Sequence, residues 1–364
     1  MATKLEISQL DFDGIKDNLK TFLSQQDEFT DYDFEGSGMN VLLDVLAYNT
    51  HYLGYNANML ANEMYLDSAD QRSSVVSLAK QVGYTPKSAV SSTARIDVVV
   101  NNATGATVTM SRGTKFSTTV DGTNYSFVNN ADVSISPVDG VYKFSNLDIY
   151  EGTYLNYKYT ANTSDKDQRF IIPNDNVDTT TLTVKVQESA SDSTTNTYTL
   201  AGGITALDST SKVYFLQEVE GGKFEVYFGD GVVSKAVEDG NIVSLSYVVT
   251  NKSEANGASS FTAPSTIGGQ TDITLTTILR ATGGAEPESL KSIKLNAPLN
   301  YAAQGRAVTT SDYETFVRQL FPNTQAVSVF GGEEGSFDPS TGVSSTPEYG
   351  KVFISVKSTT GANL

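Results

Sequence analysis

Few residues in this sequence are equipped for chemistry. Its 364 residues contain one histidine, His51, and no cysteine. Without cysteine there are no disulfides, no thiolate nucleophile and no zinc–sulfur site. One imidazole cannot build a multi-histidine metal site, and any Ser-His-Asp relay would have to run through it. His51 stands beside Tyr52 in a helical stretch, where packing or hydrogen bonding is the ordinary role. Carboxylates number 42, so acid–base hydrolysis by a pair is open by composition. No spacing singles out a pair, and no tryptophan exists to line a sugar cleft, although 19 tyrosines do. The clusters Asp11-Phe12-Asp13-Gly14 and Asp31-Tyr32-Asp33-Phe34-Glu35 lack the ligand spacing of a calcium loop. Asp13 reads as a helix cap, and the second cluster as a solvated or partner-facing acidic loop. Phe228-Gly229-Asp230-Gly231 reads as a tight β-turn between Phe224-Glu225-Val226-Tyr227 and Val232-Val233, not as a ligand loop. These residues therefore point to no catalytic group, no metal site and no cofactor: a protein that is not an enzyme.

Charge narrows the partners. A formal net charge of −17 opposes the phosphate contacts that nucleic-acid binding needs, and disfavours an anionic membrane surface. It favours solubility before assembly. No apolar run approaches the length of a membrane span, and no basic-then-apolar signal follows Met1.

The length predicts two or three domains, and the patterning an α+β multidomain chain. Residues 1–90 read as a helical core-bundle segment. Asp13 is expected to cap a helix carrying Ile15, Leu19, Phe22 and Leu23 on one face. After a connection over Asp27–Gly38, a long helix is expected from Met39 to Leu66, and a further one capped by Ser68 ends at Val82, with Gly83 and Pro86 beyond. In the long helix Met39, Leu46, Leu53 and Leu60 repeat every seventh residue, with Leu42, Asn49, Asn56 and Glu63 at the alternate seam position. Val41, Val45, Tyr48, Tyr52, Tyr55 and Met59 form a second stripe. The neighbouring short helices could cover one stripe, and the other calls for another chain. Asn49 and Asn56 either set bundle register or face solvent.

Residues 91–265 read as a β-rich, mostly antiparallel sandwich or barrel-like domain. Strands such as 95–100, 181–186 and 242–247 alternate, with turns at Asp121-Gly122, Asp139-Gly140 and Gly221-Gly222. Residues 266–364 read as an αβ domain. Pro287 stands at the start of a helix running to Pro298, and Ser311 with Glu314 forms a capping box for a helix stopped by Phe321-Pro322. Strands follow at Ala326–Phe330 and Lys351–Lys357. The sequence stops after Gly361 where another helix would have to cover the sheet, so this domain is expected to be truncated.

Three stretches carry a resemblance. They are DFDGIKDNLKTFLSQQDEFTDYDFEGSGMNVLLDVLAYNTHYLGYNANMLANEMYL with RSSVVSLAKQVGYTP, FEVYFGDGVVSKAVEDGNIVSLSYVVTNKSEANG, and GGAEPESLKSIKLNAPLNYAAQGRAVTTSDYETFVRQLFP. Together they resemble the baseplate J-like family, closest to the T-even-type baseplate wedge proteins of contractile-tailed phages. The resemblance implies a structural part of the virion's tail baseplate, assembled in the host cytoplasm. It implies two copies per wedge joined with a bundle partner, contact with a sheath-initiating partner of lysozyme-like fold, and a ring around the hub that triggers contraction. Residues 120–216 match no motif. Within the third stretch Arg306, Asp312, Tyr313 and Arg318 are candidates for an inter-subunit contact, with an intradomain ion pair at a helix start as the other reading. The alternative function is a tail-associated glycan-binding module or carboxylate-based glycan hydrolase, with Tyr142 to Tyr159 as a concave surface or, equally, as cross-strand packing.

Overall fold

The computed structural model describes all residues except 1–10, 27–32, 104, 139–140, 167, 203–206, 322–323, 333–336, 339–342, 345–346, 348 and 359–364. The Asp139-Gly140 turn, the Pro322 stop, half of the Asp27–Gly38 connection and the chain after Gly361 therefore lie wholly or partly outside the described residues. Two compact units emerge, residues 1–81 and 82–364.

The first unit holds α1 (Phe12–Leu23), α2 (Gly38–Glu63) and α3 (Arg72–Gln81). Asp11, not Asp13, caps α1, its carboxylate accepting from the Gly14 amide at 3.0 Å. Asp13 lies instead in the first turn, where its charge faces the positive end of the helix dipole. Ser37 caps α2 through the Asn40 amide. The helix runs within a residue of the expected start and ends three residues before Leu66. α1 packs on α2 with Ile15, Leu43 and Ala47 buried, and Lys16 Nζ lies 2.5 Å from Asp44 Oδ1. Ser68 does not cap α3. Its hydroxyl turns back to the Asn62 carbonyl at 2.6 Å, and the amides of Asp70 and Gln71 donate to the Glu63 carboxylate. A long acidic side chain from the preceding helix thus serves the free amides ahead of α3.

The second unit opens with β1 (Thr93–Val100), β2 (Val108–Met110), β3 (Lys115–Val120), β4 (Thr123–Asn129), β5 (Val133–Ile135) and β6 (Tyr142–Glu151). It continues with β7 (Thr153–Thr160), β8 (Phe170–Ile171), β9 (Val177–Gln187), β10 (Thr195–Leu200), β11 (Val213–Glu218), β12 (Phe224–Phe228), β13 (Ile242–Val249) and β14 (Ile273–Thr282). These strands form two cores, not one sandwich. The first sheet has the order β14-β1-β6-β4-β3, and the second β7-β13-β9-β10-β11-β12-β8. Alternation in β1 sends Ala94, Ile96, Val98 and Val100 into the first core with Phe116, Phe127 and Phe144. Val184, Val226, Leu245 and Tyr247 centre the second.

Because β14 pairs with β1, the β-rich part runs to Thr282, past the expected limit at 265. Residues 153–249 are consequently inserted within the first core's chain. The expected antiparallel pairing is found throughout the described ladders, with one parallel exception, β10 with β11. The β3–β4 hairpin turns at Asp121 (φ 48°) and Gly122 (φ 82°), the pair of positive φ values that a tight hairpin demands.

Chain entry and exit of the insert meet at one point. Gly152, between β6 and β7, has φ 130°, and a Cβ there would stand 2.2 Å from the Val249 carbonyl oxygen, so only glycine fits. Beside it the fully buried Glu151 accepts from the Thr250 hydroxyl (2.7 Å), the Asn251 amide (2.9 Å) and the Asn251 side chain (2.7 Å).

The remaining elements are α4 (Leu290–Ala303), α5 (Thr310–Leu320), β15 (Thr324–Gly331), β16 (Phe337–Asp338), β17 (Val343–Ser344) and β18 (Val352–Ser358). Ser289, two residues after Pro287, caps α4, and the helix continues through Pro298 to Ala303 instead of stopping there. Pro298 removes one helical amide without ending the helix. β15 and β18 pair antiparallel, α5 packs on β15, and Phe330 stacks on Phe353 with centroids 5.4 Å apart.

Candidate assembly surface

Side-chain burial on α2 follows a face that the heptad spacing did not single out. Asn40, Leu43 and Ala47 are buried, and this is the side α1 covers. Both apolar stripes stay bare. Exposure runs from 52% at Leu46 through 58% at Leu42 and 61% at Leu53 to 64% at Leu60. Met39 is half-buried, and Asn49 and Asn56 are exposed on the same line. Val41, Val45, Tyr48, Tyr52, Tyr55 and Met59 are exposed as well. The short helices therefore leave both stripes uncovered, where cover for one was expected. A contiguous apolar surface of this extent on one helix is the physical mark of an interaction site. It is partly pre-ordered: the Tyr48 hydroxyl donates to that of Tyr52 at 3.0 Å, and the two rings meet edge to face at 4.6 Å. That hydrogen bond raises the Tyr48 phenol above its ordinary value.

Arg306 and Asp312 come together at the start of α5. The capping box there is Thr309 with Asp312, not Ser311 with Glu314, because α5 starts earlier than the spacing suggested. The Asp312 carboxylate accepts from the amides of Thr309 (2.8 Å) and Val308 (3.1 Å), and these bonds, with Arg306 nearby, hold its carboxyl below the usual range. Arg306 itself donates to Gln304 at 3.0 Å. Tyr313 is half-buried, and Arg318 is exposed at the far end of the helix, its carbonyl accepting from Lys87 Nζ at 2.6 Å. Because the folded-state carboxyl of Asp312 is depressed, its contribution is present above the unfolded carboxylate's titration and lost as pH falls through the folded value. Asp312→Ala is expected to lower the amide protection factors over 309–314 at neutral pH, and acid is expected to lower those of the parent chain, each taken against the intrinsic exchange rate at the same pH. Unchanged protection of those amides in the variant would contradict this role.

The residue that sequence reading passed over is Glu288. Its side chain is buried and accepts from the Tyr84 hydroxyl (2.8 Å), the Lys87 amide (3.1 Å), the Ser292 hydroxyl (2.6 Å) and the Asn296 side chain (2.8 Å). Burial, with the Glu288 charge adding to it, pushes the Tyr84 phenol far above its ordinary value. Burial lowers Lys87, and Glu288 opposes that shift. The segment 84–92 is a strap bonded on several sides: Thr85 to the Leu216 carbonyl, Ser88 to Thr179 and the Ser91 amide to Asp178. The one local signal was a glutamate directly before a capping serine.

The expected tight turn over Phe228–Gly231 does not form: the chain leaves β12, bends over 231–234, and enters no paired strand at Val232-Val233. Asp230 accepts from the amides of Val232 and Val233, while β12 pairs with β11 and β8. Gly229 is needed because a Cβ would lie 2.7 Å from the Ser234 carbonyl oxygen. The Tyr142–Tyr159 stretch divides between the two sheets, with Tyr142 in the first core and the Tyr159 hydroxyl donating to Ile171 at 2.6 Å. Among the described residues no group of three or more acidic, histidine or cysteine side chains is placed to hold a metal ion. Among them, too, no helix is long and apolar enough to cross a membrane.

Three family models match this chain in order. Residues 11–84 match the helical domain of gp6-like baseplate wedge proteins, 157–258 the third domain of the bacteriophage baseplate wedge protein gp6, and 309–364 C-terminal domain I of the baseplate structural protein gp6. The chain thus carries gp6-like baseplate wedge domains, and the third-domain match nearly coincides with the inserted core. Among characterised proteins it is similar to baseplate wedge protein gp6 of Enterobacteria phage T4, 32% identical over 350 residues, which cover 88% of this chain and 51% of that protein. The chain spans about half the length of that relative. A chain in the anti-feeding prophage baseplate structure aligns over 90% of this chain and 67% of its own length, at 11% identity and a TM-score of 0.33, too low to define a shared fold.

Proposed function

We propose that this protein is a structural component of a contractile phage tail baseplate wedge and works by binding other proteins, not by catalysis. The observation that carries the reading is the bare pair of apolar stripes on α2, inside the region related to the gp6-like helical domain. A helix left so apolar in one chain is completed by other helices. Two copies of the chain join a bundle partner in each wedge through Met39, Leu42, Leu46, Asn49, Leu53, Asn56 and Leu60. Asn49 and Asn56 fix the register. The wedges close into a ring around the hub, meet a sheath-initiating protein of lysozyme-like fold, and relay the trigger for contraction. The chain is placed in the virion's tail baseplate after assembly in the host cytoplasm, in the wider baseplate J-like family.

Mass by light scattering tests this directly, first on the chain alone and then on its mixture with the other wedge proteins of its phage. The expected result is a dimer, or a defined two-to-one complex on mixing. A monomer that ignores every tail protein would overturn the proposal.

A further inference from the structure

The two large sheets end in the outer strands β3, β14, β7 and β8, and three of these are protected. In β3, Ser117 and Thr262 exchange backbone hydrogen bonds, and Lys115 opens the strand. β7 and β8 approach each other, the Tyr159 hydroxyl donating to the Ile171 carbonyl, and Lys158 lies in β7. Cover and charge of this kind keep sheet edges from pairing with foreign strands. β14 differs. Among the described residues its outer edge is guarded at one end, where Ala281 exchanges backbone bonds with Gly257 and Ala258 at 2.7 Å. From Ile273 to Leu279 it carries no charge, no proline and no glycine. The register with β1 is regular as far as Thr277 and shifts beyond it. The Asn101 amide donates to the Asp272 carbonyl at 2.8 Å, so the backbone groups of Thr274 and Thr276 also face β1. Those of Ile273, Leu275 and Thr277 consequently point outward.

Charge selects what pairs there. Asp272 precedes the uncharged stretch and Arg280 follows it, both exposed. Asp272 accepts from the side-chain amides of Asn101 (3.1 Å) and Asn102 (2.6 Å), neutral donors that leave its charge uncompensated. Arg280 forms no ion pair among the described residues. An anion at one end and a cation at the other complement themselves when two such strands run antiparallel. We propose that β14 pairs antiparallel with β14 of a second copy of this chain, across a two-fold axis at Leu275. Leu275 then faces its own copy, Ile273 faces Thr277 and Thr274 faces Thr276, each outward pair exchanging two backbone hydrogen bonds. Asp272 of the second copy falls opposite Ile278, about 7 Å of strand short of Arg280, a span a guanidinium covers. The two surfaces are the same surface, so this contact stops at two copies. It is separate from the helix stripes and does not rest on them.

The chain has no cysteine, so the register can be read by cross-linking. Thr274→Cys and Thr276→Cys, both at exposed positions, are made as separate full-length chains, mixed and oxidised mildly. A mixed disulfide is expected at about tenfold or more the yield of either variant alone. The facing pair lies about 4.5 Å apart between Cα atoms, while like positions lie about 8 Å apart, beyond disulfide reach. Arg280→Glu sets a carboxylate against Asp272 of the second copy and should lower the yield about threefold or more. With Leu46→Asp and Leu53→Asp added to both chains the cross-link should persist, so failure here and failure of the helix reading are told apart. No mixed disulfide, equal yields from the single variants, indifference to Arg280→Glu, or loss of the cross-link in the helix-variant background would each overturn the proposal.

Discussion

Leu46→Asp combined with Leu53→Asp is expected to abolish complex formation with the neighbouring wedge protein while leaving the β-rich part folded. Both side chains are more than half exposed in the single chain, so the substitutions remove little burial from its own core. In a bundle the same positions lose their water. Each leucine then contributes roughly 1.5–3 kcal/mol of burial. An unpaired carboxylate in its place adds a desolvation cost of its own. Two such changes amount to several kcal/mol, on the order of a thousandfold or more in Kd. A pull-down reads the outcome, with circular dichroism of the variant as the check on folding. Unchanged capture would sink the idea that this stripe is an interface. Loss of β-structure would mean the positions serve the chain's own fold.

The second large effect lies at Glu288. Its carboxylate collects donors from the strap and from α4, and Glu288→Ala leaves the Tyr84 hydroxyl and the Lys87 amide without it. An orphaned buried donor costs about 1–3 kcal/mol, so the variant should lose roughly 2–4 kcal/mol in denaturant unfolding. Tyr84→Phe removes one donor together with its need for an acceptor, and should cost about 1 kcal/mol. The double variant should fall short of the sum, as contacting residues do. A loss below about 0.5 kcal/mol for Glu288→Ala, the range of ordinary surface changes, would show that the carboxylate is dispensable.

Local signals gave the helices because their causes are local. The long stretch free of proline from Met39, the glycine after α3 and the Asp121-Gly122 hairpin all act within a few residues. The caps went astray where distance intervened. Glu63 reaches seven residues forward to serve the approach to α3, and Ser68 bonds backwards instead. The two-core arrangement was hidden for the same reason. β1 meets β14 nearly 180 residues away, and alternation alone cannot say which strand is a neighbour. On α2, period and exposure answered different questions. Spacing revealed two stripes, but the face that folds against α1 has a polar residue, Asn40, and a small one, Ala47, on either side of Leu43. Glu288 could not be read, since only distant partners make that carboxylate a buried hub.

The doorway at Glu151–Gly152 and Val249–Asn251 has an evolutionary consequence. A guest that enters and leaves a host sheet through one gap can be exchanged as a cassette: recombination needs two nearby junctions, and the host strands keep their order and register whatever length arrives. Lineages of such proteins are free to trade this part wholesale while the strands on either side stay put, so sequence change should concentrate inside the gap and halt at its glycine.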